Sequence, residues 1–476
     1  MSNKFQDCSQ LLIDGEWVET SDRFPVENKY SGDVVANVCS ATSELVDMAI
    51  DRAKNALMNS VPAPHERASI LRGAAILLEE NRSRFIELMV IEAGFTNTDA
   101  ASEVMRAGLT LQLSADVAAT LCGHSVPFGA HPGSEQRIGF TVHDPIGVVC
   151  AITPFNSPLN TVLHKVAPSF AAGNPTVLKP SPLTPLTSAL LGKILLQAGM
   201  PKGYLHIVQG DQHVAERLLT NPDIAFFTFT GSTRVGRIIQ GHVGLRRSQM
   251  ELGSIASTIL CADADLDRAL PKIANAGFRK AGQVCTSVQR LYVSREVLAD
   301  VVQRLTVLAQ EMVAGDPRNE ETRVGPMISE ASAERVNDWI CEAVSAGAVL
   351  HCGGQRNGRL VHPAVLTGVP FEADVWCSEV FGPVISVCPF DTLDEAIKAA
   401  NDTEFGLAAG IFTRDLDNVR AAMSGLKFGT VQINETSSAR ADVMPFGGVK
   451  ASGFGKEGPA YAAKEMTVER LIVLNP

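Results

Sequence analysis

From Ile146 onward the chain alternates short apolar runs with amphipathic ones, and this alternation limits the fold more than any other feature. The runs Ile146–Ile152, Thr176–Leu178, Tyr204–Val208 and Ala225–Phe229 predict strands, and helices are expected to begin near Leu159, Thr184, His213 and Ser232. Strands joined through helices need crossover connections, so the pattern predicts a parallel sheet covered on both faces. Ligands on such sheets bind beyond the C-terminal strand ends. After Thr258 a second alternating series runs to about Ile433, with helices near Ser294–Val313, Glu330–Ala346 and Leu393–Ala400. That is enough for another α/β domain, and a chain of 476 residues has room for two or three.

The segment before this series reads differently. Leu11–Val18 predicts a small hairpin turning at Asp14-Gly15. Amphipathic helices are expected from Thr42, with Val46, Ala49, Ile50, Ala53 and Ala56 on one face, and from Pro64, with Ile70, Leu71, Ala74 and Leu78. A third run, Phe85–Ala93, stops at Gly94, and a long helix follows from Thr98 to about Cys122, carrying Arg106. This block shows no chemistry of its own. His124 to Thr141 is rich in Gly, Pro and polar residues, and the strand-like tail Thr467–Leu474 is suited to pair with it.

Charge and cysteine usage exclude several classes. A net charge of −11 without a long basic run argues against nucleic acid and anionic membrane as partners. The ten cysteines form no CxxC pair and no His/Cys cluster at metal spacing, which points to reduced thiols in the cytoplasm and to no metal. The N-terminus lacks an apolar signal core, and no run approaches the roughly 20 apolar residues of a membrane span.

The chemistry centres on Ala281-Gly282-Gln283-Val284-Cys285-Thr286-Ser287, a Gly-containing turn between a helix-like run (Leu266 to Lys280) and a strand-like one (Leu291 to Val293). Cys285 there is either a nucleophile facing a cleft or a packed thiol. Asn156, between Pro154 and Pro158 at a strand end, is either an oxyanion donor or the start of an Asx turn. Lys179, at the next strand end, can reach a ribose or phosphate, or lie solvated. Gly231-Ser232 opens a helix whose free N–H groups suit a pyrophosphate, or is an ordinary cap. Glu251 ends a short strand and can act as a general base in a partly apolar cleft, or lie on the surface. Two Gly/Pro loops with a central aromatic, Ser378–Val384 and Met444–Lys450, complete the set.

Taken together and in this order, these motifs resemble the aldehyde dehydrogenase superfamily over nearly the whole chain. The resemblance implies an α/β fold with a Rossmann-type cofactor domain (1–123 and 145–253), an α/β catalytic domain (254–456) and a small β oligomerisation bridge (124–144 and 457–476). It implies an NAD(P)-dependent enzyme in which Cys285 attacks an aldehyde and Asn156, with the Cys285 backbone N–H, stabilises the oxyanion. Hydride leaves to the nicotinamide, and water activated by Glu251 hydrolyses the thioester. Lys179 and Glu379 would hold ribose hydroxyls. Gly231 and Ser232 would sit at the pyrophosphate, and Thr153, Pro154, Phe155, Ser181, Leu252 and Phe381 would complete the cofactor site. NAD is the expected cofactor. NADP is not excluded, because Pro182 stands where relatives often carry a Glu facing the 2′-hydroxyl. Homodimers or homotetramers are expected.

Departures bear on the substrate. Relatives often have Trp at Phe155 and an aromatic at Ser157, and here a small hydroxyl facing the pocket suits a compact, polar substrate. Ser254 replaces a second Gly, a minor change. The Pro-Phe-Asn motif and Asn434–Asp442 resemble the branch of non-phosphorylating glyceraldehyde-3-phosphate, lactaldehyde and phosphonoacetaldehyde dehydrogenases. Arg106 and Arg440 are therefore candidates to grip an anionic group, or else structural ion pairs, with Ser157 and Thr286 also lining the substrate site. Some anion-specific members carry Arg before the cysteine, where this chain has Val284. A CoA-acylating relative would lack Glu251, and a non-catalytic nucleotide-binding one would lack Cys285, Glu251 or Asn156.

Overall fold

The computed structural model describes residues 5–475. β1 (Leu11–Ile13) and β2 (Glu16–Val18) form the expected hairpin, with Asp14 and Gly15 both at positive φ, as a tight two-residue turn needs. A second hairpin follows, β3 (Arg23–Glu27) with β4 (Val34–Cys39), for which the sequence carries no clear signal because Pro25 interrupts the first strand. The helices α1 (Ser43–Asn59), α2 (Pro64–Glu80), α3 (Arg82–Glu92) and α4 (Asn97–Thr120) come next. Thr42 caps α1, and Gly94 ends α3 at φ +71°, tight against Pro326.

β5 (Ser125–Val126) and β6 (Ile138–Pro145) precede the main series. That series runs β7 (Val148–Ile152), α5 (Asn160–Ala171), β8 (Thr176–Lys179), α6 (Pro185–Gln197), β9 (Leu205–Ile207), α7 (Gln212–Thr220), β10 (Ile224–Thr230), α8 (Thr233–Val243) and β11 (Arg247–Glu251). The five strands are parallel in the order β9-β8-β7-β10-β11. The strand order reverses between β7 and β10, so a cleft opens at their C-terminal ends. The β1–β2 hairpin extends one edge.

The second series holds β12 (Ser257–Leu260), α9 (Leu266–Phe278), β13 (Arg290–Ser294), α10 (Leu298–Glu311), α11 (Glu330–Ser345), β14 (Val349–Cys352), the hairpin β15 (Arg356–Asn357) with β16 (Leu360–Val361), β17 (Ala364–Thr367), α12 (Asp374–Cys377), β18 (Val384–Phe390), α13 (Leu393–Asn401), β19 (Ala408–Phe412), α14 (Leu416–Gly425) and β20 (Thr430–Ile433). Its sheet runs β14-β17-β18-β13-β12-β19-β20 and is parallel except at β14. β21 (Gly453–Phe454) crosses back to pair with β11, joining the second series to the first sheet. After α15 (Pro459–Glu465), β22 (Thr467–Leu474) pairs along its whole length with β6, in a three-stranded sheet with β5.

The helix expected to reach Lys280 stops at Phe278. Lys280 and Ala281 adopt left-handed backbone at φ +53° and +54°, and Gly282 follows at +68°, so the chain leaves α9 through a tight, strained turn. Each non-glycine residue so placed costs about 1–2 kcal/mol. Separate apolar cores lie behind the two sheets, around Ile259, Leu291 and Ile385 in one and around Leu163, Leu178 and Leu190 in the other.

Candidate active site

Between the two sheets lies a cavity of about 510 Å³, and every candidate catalytic, cofactor-binding and substrate-binding residue named from the sequence borders it. The C-terminal ends of β7, β8, β10 and β11 deliver Thr153–Ser157, Lys179–Pro182, Thr230–Ser232 and Glu251–Gly253. From the other side come the turn before β13, with Cys285 and Thr286, the loop before β18, with Glu379 and Phe381, and Arg440 beyond β20. The N-terminal helical block contributes Arg106, the candidate named on α4, which reaches the cavity wall.

Cys285 is half-buried. Burial raises its thiol well above the ordinary range, and the carboxylates of Glu251 and Glu379 push the same way against Arg440. The resting group is the protonated thiol, and a base must take its proton before attack. Asn156 does not close a turn on its own loop; its Nδ2 donates to the Gln283 carbonyl at 2.8 Å, two residues before the cysteine. Glu251 is almost fully enclosed, with Oε1 lacking any partner among the described residues. Burial, then the nearby Glu457 carboxylate, lifts it to about 8. Glu457 is held well below the usual range by Lys165 at 2.9 Å and Arg440 at 2.8 Å, and also accepts from Thr230 Oγ1 at 3.1 Å. Two adjacent buried carboxyls are thereby driven apart, one ionised and one ready to exchange a proton near neutral pH.

The arginines divide into two kinds. Arg106 is bound bidentately by Asp442, at 3.1 and 2.7 Å, and Asp442 also receives Asn160 Nδ2 and His164 Nε2, each at 2.9 Å. Arg440 pairs with Glu457 and lies 4.1 Å from the Phe446 ring centroid. Both thus have carboxylate partners while bordering the cavity. Arg279, which the sequence reading missed, borders it too and has no carboxylate within ion-pair distance among the described residues; its Nη2 donates to Ser438 Oγ at 2.6 Å. Thr286 Oγ1 also lies 3.3 Å from Ser438 Oγ. Arg279 stands six residues before Cys285 in the same turn, and that proximity was the available signal. Ser157, expected to offer its hydroxyl to the pocket, instead donates it to Glu103 at 2.9 Å.

The other end of the cavity is suited to a dinucleotide. Lys179 is enclosed, its ammonium has no hydrogen-bond partner among the described residues, and burial draws its pKa down to about 8. Thr153 Oγ1 is likewise buried without a partner. Among the described residues Glu379 accepts only from the Ser254 N–H at 3.0 Å, and burial lifts it to about 7. Ser232 caps α8, leaving the first-turn N–H groups of that helix beside the cavity. A Cβ on Gly253 would come within 2.9 Å of Glu379 Oε2, so that wall admits no side chain. Phe155 and Phe381 meet edge to face with centroids 5.9 Å apart, and Pro182 lies exposed at the rim. These unpartnered polar groups fit a cofactor with hydroxyls and phosphates.

Comparison with known proteins gives a consistent result. The model of the aldehyde dehydrogenase family matches residues 17–472. The chain is 44% identical over 466 residues to 3-sulfolactaldehyde dehydrogenase from Priestia megaterium, covering 98% of each chain. It is 34% identical over 412 residues to sulfoacetaldehyde dehydrogenase from Neptuniibacter caesariensis, covering 87% of this chain and 90% of the other. Among solved structures, aldehyde dehydrogenase 21 from Physcomitrella patens, in complex with the reaction product succinate, superposes with a TM-score of 0.95 at 34% identity over 98% of both chains.

Proposed function

The chain belongs to the aldehyde dehydrogenase family and is an oxidoreductase acting on aldehydes, and from there we propose that its substrate is a small aldehyde bearing a sulfonate, phosphonate, phosphate or carboxylate. The observation that carries the anionic reading is Arg279, a guanidinium on the cavity wall held by a serine hydroxyl and not by a carboxylate. Its planar donors suit an anionic oxygen pair. The relatives named for sulfolactaldehyde and sulfoacetaldehyde support the same class.

In this reading the Cys285 thiol gives its proton to water, the thiolate attacks the aldehyde carbon, and the Asn156 carboxamide and Cys285 backbone N–H hold the resulting oxyanion. As the oxyanion collapses to the Cys285 thioester, the former aldehyde hydrogen would leave as hydride to the acceptor that a bound nicotinamide would supply. Glu251 then takes a proton from water, which hydrolyses the Cys285 thioester to the carboxylic acid. Lys179 and Glu379 would hold ribose hydroxyls, and the α8 start at Gly231-Ser232 would hold the pyrophosphate. NAD is the expected cofactor, and NADP stays open because Pro182 sets no carboxylate at the rim. Arg106 and Arg440 assist Arg279 around the anion.

The domain division belongs to the same proposal: 1–123 with 145–253 for the cofactor, 254–456 for catalysis, and 124–144 with 457–476 as a bridge between subunits. Val468, Leu474, Ile138 and Phe140 lie on one face of the β22–β6 ladder and are all exposed, which suits a dimer or tetramer contact. Ten free thiols fit the cytoplasm.

Initial rates on neutral aldehydes paired with their anionic analogues, using NAD+ and NADP+, test the substrate. The expected result is a tenfold or greater preference in kcat/KM for an anionic member, about 1.4 kcal/mol, lost in Arg279→Gln. Equal values for charged and neutral members would overturn it.

A further inference from the structure

Two buried charges outside the residues assigned above link the halves of the site. Lys280 follows Arg279 in the strained turn, with its side chain directed inward and almost wholly enclosed. Its ammonium donates to Glu103 Oε2 at 2.5 Å and to the Asn156 carbonyl oxygen at 3.0 Å, and lies 4.1 Å from the centroid of the Phe95 ring. Glu103, on α4, is just as enclosed, and its other oxygen accepts from Ser157 Oγ at 2.9 Å and from the N–H groups of Leu159 and Asn160, each at 3.2 Å. The carboxylate therefore caps the start of α5 with one oxygen and holds the lysine with the other. Three elements meet on this pair: α4, the loop bearing Asn156, and the turn bearing Cys285.

The surrounding bonds close a ring. Asn156 Nδ2 donates to the Gln283 carbonyl, and Gln283 Nε2 donates back to the Lys280 carbonyl at 3.2 Å. The Asn156 residue is thus tied to the nucleophile turn at both ends, through its backbone oxygen by Lys280 and through its carboxamide by Gln283. Lys280 and Ala281 persist at positive φ only if neighbouring interactions over-determine them. The Lys280 side chain, fully engaged at its tip, supplies that constraint. Burial alone would favour a neutral lysine, and the paired Glu103 carboxylate opposes it. Neither side chain hydrogen-bonds to Cys285.

We propose that the Glu103–Lys280 pair is the positioning element of the oxyanion site, setting the distance and angle between the Asn156 carboxamide and the Cys285 sulfur. This rests on the reading of Asn156 as oxyanion donor and Cys285 as nucleophile. Both charged residues act through others, so they are positioning residues. A misplaced donor weakens transition-state binding much more than it weakens binding of cofactor, so the signature is a fall in kcat with little change in KM for NAD+.

The experiment uses the full-length enzyme and compares Lys280→Met, Lys280→Arg, Glu103→Gln and the double variant Glu103→Gln/Lys280→Met. Steady-state kinetics, thermal unfolding and the rate of Cys285 alkylation by iodoacetamide are read for each. Lys280→Met leaves a buried carboxylate unpaired and is expected to melt earlier. The double variant removes both charges while its new carboxamide oxygen still accepts from Ser157 and the α5 N–H groups, so stability is expected to return toward wild type. The expected outcome is a double variant that melts near wild type and alkylates at Cys285 normally, yet has kcat reduced about 100-fold, the scale of one lost oxyanion donor, with KM for NAD+ within about twofold. Partial recovery of kcat in Lys280→Arg supports the same conclusion. A double variant that regains both stability and wild-type kcat overturns the proposal and leaves the pair a folding device only. Loss of stability in the double variant with kcat unchanged in Lys280→Arg and Glu103→Gln also overturns it. Cys285→Ala and Asn156→Ala run alongside: turnover surviving in those would sink the underlying site reading and not the positioning claim.

Discussion

Gly282 lies so close to Gly382 that a Cβ on Gly282 would meet the Gly382 carbonyl oxygen at 2.0 Å. The turn that bears Cys285 and the loop that bears Glu379 and Phe381 are thus stacked backbone to backbone. Only glycine allows this, both for space and because φ is +68°. Gly282→Ala is expected to destabilise by more than about 3 kcal/mol, since strain and a backbone clash add, and to abolish turnover. A melting temperature equal to wild type would show that the two loops can part without cost.

The raised Glu251 carboxyl makes a pH prediction. The group is lifted to about 8 and serves as base only when ionised, so hydrolysis of the acyl-enzyme should rise with pH through about 8. Single-turnover measurements after rapid acylation read this step directly. Glu251→Gln should abolish the rise while leaving the first burst of reduced cofactor intact. A burst lost together with the steady state would assign Glu251 to an earlier step.

Asp442 is enclosed and binds Arg106, Asn160 and His164 at once, with these contacts holding its carboxyl well below the usual range. A depressed carboxyl contributes stability that is present above the unfolded value near ~3.9 and is lost as pH falls through the folded one. Asp442→Ala, which leaves a guanidinium unpaired, should cost about 3–5 kcal/mol at pH 7. Denaturant unfolding at pH 7 and at acid pH checks both the size and the sign: the gap between variant and wild type must shrink in acid.

At the cofactor rim, Pro182→Glu should set a carboxylate where a 2′-phosphate would lie. The ratio of kcat/KM for NADP+ to that for NAD+ is expected to fall tenfold or more, by like-charge repulsion. An unchanged ratio would place the 2′ position elsewhere.

The exposed apolar face on β6 and β22 gives an assembly prediction. Phe140→Asp should shift the sedimentation profile toward a smaller species without unfolding the subunit, because a charge there opposes burial against a partner. An unaltered profile would remove this sheet from the subunit contact.

Much of the site was legible in the chain. The strand ends carrying Asn156, Lys179 and Glu251, the helix start at Ser232 and the turn around Cys285 each have a local pattern, because strand-to-helix junctions need particular turn and cap residues. Pairing of the tail with the 124–144 segment was expected because Thr467–Leu474 is strand-like, and β22 does pair with β6, on the side away from β5. The β3–β4 hairpin was not legible, since Pro25 hides its first strand. Nor was the bend that ends α9 two residues early, because left-handed backbone at Lys280 and Ala281 has no sequence signature.

What the sequence determined by itself was the alternation that makes two covered sheets and the identity of the groups at their strand ends, since periodicity and turn chemistry are local. Which guanidinium lacks a carboxylate was decided only in three dimensions. Arg106, Arg279 and Arg440 look alike in the chain, and Asp442 and Glu457 can choose among them only when distant segments meet. The same holds for Glu103, an ordinary helix residue until folding buries it against Lys280. Burial and pairing set the charge of a side chain, and both are properties of contacts between segments far apart in sequence.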